Sequence, residues 1–134
     1  MGSAMRVARW LLVLPSGVAG WYLGLLIGLL IYEAGEKTCP IGYVVSGMCY
    51  APWSHLLHLF AFAVGSGVAG ALVVALPALV APMRAFNIAL TAFAIGVVAG
   101  TYMLVQTGAW LLYVSALVCG GISCWAFKNR RPNT

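Results

Sequence analysis

The stretch WLLVLPSGVAGWYLGLLIGLLIY, residues 10–32, decides the fold. It holds no Asp, Glu, Lys, Arg or His. An apolar run of this length suits a helix crossing roughly 30 Å of hydrocarbon. In lipid each backbone polar group must be satisfied within the protein, which favours helix over irregular chain. Three further apolar runs follow, at 54–80, 86–105 and 110–127. Together they predict an all-α integral membrane protein, a four-transmembrane-helix bundle forming one domain over residues 5–134. Short connections make successive helices antiparallel neighbours. Residues 1–4 read as a cloning scar ahead of a native start at Met5. Arg6, Arg9 and the first run imitate a signal peptide, but the run is long and no small-x-small cleavage site follows it.

Composition agrees. The chain is 63% hydrophobic and 7% charged, with mean hydropathy +1.02, where a soluble domain carries about 25% charged residues. The pI near 9.3 is accounted for by topogenic anchors rather than nucleic-acid contacts. Arg6 and Arg9 precede the first run, Arg84 lies between the second and third, and Lys128, Arg130 and Arg131 follow the fourth; Lys37 alone falls elsewhere. The positive-inside rule therefore predicts cytoplasmic termini and an inner (plasma) membrane protein of bacterial type. Trp10 and Trp125 are expected at the cytoplasmic interface, with Trp53 and Trp110 at the outer one, as an aromatic belt requires.

Pro15 lies inside the first run and is expected either to kink a single helix, the preferred reading, or to start the helix afresh with residues 6–14 along the interface. Ser54 is the expected N-cap of the second helix, and Pro77 and Pro82 bracket its end. Residues 106–109, Gln-Thr-Gly-Ala, predict a tight hairpin.

Each run carries small residues at four-residue spacing: Gly20, Gly24 and Gly28; Ala63, Gly67, Ala71 and Ala75; Ala92, Gly96 and Gly100; Ser115, Cys119 and Ser123. Helices in lipid gain from close backbone approach, which small residues permit. These stripes are expected to form the bundle interior. A sharper expectation is that the three glycines of the first helix face outward and make an oligomer.

The interior of the runs holds no Asp, Glu, Lys, Arg or His, which argues against proton-coupled transport. The small multidrug transporters have similar size but depend on an embedded glutamate that is absent here. Ser66, Thr91, Thr101 and Ser115 are candidates to line a polar path, or to bond to helix backbones. Cys39 and Cys49 lie in the loop expected on the oxidising side, so a disulfide-stapled outer loop is predicted. Cys119 and Cys124 invite comparison with the four-helix quinone-linked disulfide-forming enzymes. Their five-residue spacing turns the thiols to different faces, so they are expected to be packing residues. Four-helix junction proteins also pair cysteines in the first loop, but that loop is far longer and carries a tryptophan signature absent here.

His55 and His58 stand three apart at the outer end of the second helix, on one face. Glu33 is the acidic group expected nearest to them. With Met48 these are the candidate ligands for zinc or copper, and a His–Glu pair also titrates near neutral pH. Neither metal is predicted as a resident cofactor, because two ligands on one helix do not complete a site. No catalytic constellation is present. The expected function is therefore non-enzymatic: an accessory or assembly-type membrane subunit, or a homo-oligomer, whose partners are the bilayer, further copies or a larger membrane protein, with no nucleic acid. The alternatives are a small oligomeric transporter or channel with a His/Glu outer mouth, and a metal- or quinone-linked redox protein.

Overall fold

The computed structural model describes residues 3–81 and 84–129; Pro82, Arg130 and Arg131 lie outside this range. Four helices account for nearly all of it: α1 (Ser3–Glu36), α2 (Ser54–Val80), α3 (Ala85–Thr107) and α4 (Trp110–Asn129). All four are long and apolar enough to cross a membrane. Between α1 and α2 lies a small cap: a 3-10 turn (Ile41–Tyr43) and the antiparallel strands β1 (Val44–Val45) and β2 (Met48–Cys49).

α1 is longer than its apolar run at both ends. Its 34 residues extend about 51 Å at 1.5 Å per residue, well beyond a hydrocarbon core of about 30 Å. It stays helical through Pro15, and the hydroxyl of Ser16 donates to the Val13 carbonyl at 2.7 Å. Beyond Tyr32 the last turn carries Glu33 and Glu36 past the apolar stretch. The cap of α2 differs from expectation. Trp53 occupies the N-cap position without a side-chain bond. Ser54 is the first helical residue, buried, its N–H donating to the Ala51 carbonyl at 2.9 Å. The hairpin between α3 and α4 forms where expected. Gly108 takes φ +67 and its N–H donates to the Leu104 carbonyl at 2.8 Å, a left-handed helix end that glycine adopts freely.

The bundle is open. α2 is its hub, packing against α1, α3 and α4; α3 also packs on α4, whereas α1 touches α3 and α4 at most marginally. The glycines of α1 explain its attachment. A Cβ built on Gly20 would stand 2.8 Å from the Leu72 carbonyl carbon, and one on Gly24 would stand 2.5 Å from the Cα and N of Ala69. A Cβ on Gly65 would stand 2.9 Å from the Gly28 Cα. The two backbones are in van der Waals contact, which only missing side chains allow. The glycine stripe of α1 is thus used up inside the chain, which corrects the expectation that it faces outward. On α2 the matching stripe is Ala61, Gly65 and Ala69, not the set beginning at Ala63.

A second seam joins α2 to α4. A Cβ on Gly70 would stand 2.9 Å from the Ala116 Cα, and one on Gly67 would stand 3.1 Å from the Cys119 sulfur. Ser66 and Ser115 share a 2.6 Å hydrogen bond across this seam. Nearer the end where the chain starts, Val74, Ala78, Ala89 and Cys124 form a buried cluster, with Phe86, Phe93 and Phe127 packed against it. Cys119 and Cys124 are accordingly packing residues. At the same end Arg9 donates from Nε to the Val80 carbonyl at 3.1 Å. It satisfies one of the carbonyls that a helix terminus leaves open.

α3 follows α2 only at first. Ala89 is fully buried, but a Cβ on Gly96 would meet nothing within 4 Å. Gly96 therefore has no packing partner within the described residues, contrary to its expected role. Gly100 does pack, against the ring of Tyr113.

Candidate functional site at the loop end

The polar chemistry of the chain converges where α1 ends and α2 begins. α1 runs off through bonds from Lys37 N–H to the Glu33 carbonyl (3.2 Å), Thr38 N–H to Gly35 (3.0 Å) and Cys39 N–H to Glu36 (3.2 Å). The chain then turns through Pro40 into the small hairpin. Val44 pairs with Cys49 and Val45 with Met48. Ser46 and Gly47 make the turn with φ of +52 and +81, the positive values that a two-residue hairpin of the I′ type needs at both positions. Cys39 and Cys49 are joined in a disulfide, with Cα atoms 5.8 Å apart.

Glu36 holds the cap to both helices. The Cys49 N–H donates to its Oε2 at 2.8 Å, and the His58 imidazole bonds its Oε1 through Nε2, also at 2.8 Å. One carboxylate thus ties together α1, the second strand of the hairpin and the first turns of α2. The His58 and Glu36 side chains are 28% and 16% exposed, so the pair is shielded but not sealed from water. The Tyr32 ring lies against His58 with centroids 4.8 Å apart and faces Phe62 at 6.1 Å. Tyr32 and Glu36 are one turn apart on α1, so they present ring and carboxylate to the same neighbour. The hydrogen bond from His58 holds the Glu36 carboxyl below the ordinary glutamate value; desolvation opposes this, while the Cys49 N–H and the charge of His58 reinforce it. Glu36 lies one turn beyond the apolar stretch 10–32.

The expected partner of the histidines was Glu33; the structure brings Glu36 to His58 instead. Glu33 is exposed and lines an open depression of about 350 Å³ with Tyr32, Glu36, Lys37 and Gly47. His55 is exposed, as is Met48. Among the described residues no group of three or more His, Cys, Asp or Glu could hold a metal ion. Both oxygens of Glu36 are already engaged.

The candidate polar path is not continuous either. The Ser66 and Ser115 hydroxyls lie 2.6 Å apart, and each also has a backbone carbonyl one turn back within reach, Ala63 at 3.1 Å and Leu112 at 2.9 Å; with one proton each, one donates to the other and the other to its carbonyl. Thr91 and Thr101 are exposed and donate to Asn87 and Val97 one turn back. The Thr101 hydroxyl also meets the Tyr113 hydroxyl at 2.9 Å, so these hydroxyls are spent on helix backbone and on single neighbours. The four tryptophans expected as anchors, Trp10, Trp53, Trp110 and Trp125, are all exposed.

The chain matches no protein-family model, no curated protein and no solved structure. Its chemistry therefore rests on the geometry alone. That geometry is a disulfide, a shielded carboxylate–imidazole clasp and an aromatic ring beside it, an arrangement that fixes a loop in place.

Proposed function

We propose that this chain is a small polytopic inner-membrane protein with both termini cytoplasmic, acting without catalysis as an accessory or assembly subunit through association with further copies or a larger membrane partner. The observation that carries this reading is the uncovered flank of α3. Gly96 and Ala99 are exposed there, and Gly96 has open space where its side chain would be. A glycine inside a helix costs about 0.5–1 kcal/mol relative to alanine. At Gly24 or Gly70 that cost is offset by backbone contact. At Gly96 no contact among the described residues offsets it, and a helix from outside would. Small residues are what membrane helix interfaces use for close approach. The stapled cap is a rigid feature that such a partner could read.

The charge distribution supports the orientation, since every Lys and Arg but Lys37 flanks the runs on one side. The absence of any Asp, Glu, Lys or Arg within the apolar runs and the closure of Ser66 on Ser115 weigh against a pore through one copy. A photoactivatable residue at position 99, used in native membranes and followed by mass spectrometry, tests the reading. A protein adduct from position 99, with only lipid adducts from Leu14, is the expected result. Lipid adducts alone from both positions would remove the basis for the proposal.

A further inference from the structure

Glu33 and Glu36 are the only Asp or Glu residues in the sequence, and both lie at the cap end. At the opposite end α1 begins, α2 ends and α3 begins, and the described cations there are Arg6, Arg9, Arg84 and Lys128. Among the described residues none has a carboxylate partner, and the one ion pair there is Glu36–His58. Arg9 is the informative member. It is half-buried, and its Nε bond to Val80 fixes the guanidinium against the end of α2. Its terminal amino groups make no hydrogen bond among the described residues, although they remain strong donors. Arg6 stands one turn earlier on the same face of α1. Arg84 follows Val80 by four positions, which keeps their Cα atoms within about 14 Å.

A guanidinium does not shed its proton in a protein, and a partly desolvated charge without a counter-charge is costly. The anion that a bilayer supplies at the depth of a helix end is the phosphodiester of a phospholipid. We propose that Arg9, assisted by Arg6 and Arg84, binds the phosphate of an anionic phospholipid where α1 meets the end of α2. The planar fork of Arg9 matches two phosphate oxygens, and its bond to Val80 holds that fork in place before the lipid arrives. The flanking arginines favour a headgroup with net negative charge over a zwitterionic one.

The test uses the full chain in neutral detergent micelles, titrated with phosphatidylglycerol or phosphatidylcholine and read by native mass spectrometry. Phosphatidylglycerol should bind at least tenfold more tightly. Arg6→Gln and Arg84→Gln, whose side chains make no hydrogen bond among the described residues, should each weaken it about fivefold. Arg9→Lys keeps the charge but loses the fork, and should weaken it as much. Lys37→Gln, at the cap end, should change nothing. Equal affinity for the two lipids, or unchanged binding in Arg6→Gln and Arg84→Gln, would overturn the proposal. Full displacement by millimolar inorganic phosphate would also overturn it, by reassigning the site to the free ion.

Discussion

Alanine at Gly24 and alanine at Gly96 are the same substitution in the same kind of helix, and the structure gives them opposite outcomes. At Gly24 the new methyl would stand 2.5 Å from the Cα and N of Ala69, about 1 Å inside the usual carbon contact distance of 3.5–4.0 Å. The obstacle is backbone, so no side chain can swing aside. α1 must shift away from α2, and the shift loosens the contacts at Gly20 and Gly28 as well. Overpacking of this kind costs about 1–3 kcal/mol. At Gly96 the methyl enters open space. Alanine's helix preference, about 0.5–1 kcal/mol, applies at both sites and cancels in the comparison. Gly24→Ala should therefore be less stable than Gly96→Ala by about 1–3 kcal/mol, with Gly96→Ala at or above the parent. The assay is unfolding of the oxidised, purified chain in mixed micelles of rising dodecyl sulfate content, followed by tryptophan fluorescence and circular dichroism. Equal midpoints for the two variants, or a stabilised Gly24→Ala, would show that the α1–α2 seam is not packed as described.

Reducing the Cys39–Cys49 bond, or replacing both cysteines by serine, should cost about 2–3 kcal/mol in the same assay through the freed unfolded loop. Glu36→Gln should speed hydrogen exchange at the Cys49 amide while leaving the amides near Gly24 unchanged, because the clasp acts locally. The Glu36 carboxyl is held below its ordinary value of 4.5. Its contribution is thus complete above that pH and is lost as pH falls through the lowered value. Cap protection measured by exchange should decline as the pH falls through that lowered value, and in Glu36→Gln that decline should be lost. A double-mutant cycle on Ser66→Ala and Ser115→Ala should return a coupling of about 0.5–1.7 kcal/mol, the range for hydrogen bonds between membrane helices; a coupling of zero would mean the two hydroxyls do not meet.

The four helices were legible because a membrane crossing demands a long apolar run, and each run shows it directly. The disulfide was legible from two cysteines in one short loop. Which small residues meet which was not. On α2 a glycine or alanine stands at nearly every turn of every face, so spacing alone could not separate Ala61, Gly65 and Ala69 from the stripe beginning at Ala63. The choice of Glu33 over Glu36 failed for a related reason. The first helix was expected to stop at Tyr32, and only its continuation puts Glu36 within reach. A signal for the right pairing does exist. Once Gly28 meets Gly65 and Gly24 meets Ala69 in an antiparallel seam, residue 35 comes level with residue 58, and Glu36 is the carboxylate beside it. The dual use of Arg9, as a topogenic charge and as a donor to Val80, has no sequence signal, because a helix carbonyl carries no side-chain identity.

The α1–α2 pair is closed at both ends and along its length: by Arg9 and Val80 at one end, by Glu36, His58 and the disulfide at the other, and by the glycines between. None of these contacts involves α3 or α4. A chain emerging from its N-terminus can therefore complete this hairpin while the second half is still being synthesised. α4 would then meet a surface already formed, the Gly67–Gly70 side of α2. A translation-arrested chain ending after α2 should already show the Cys39–Cys49 bond.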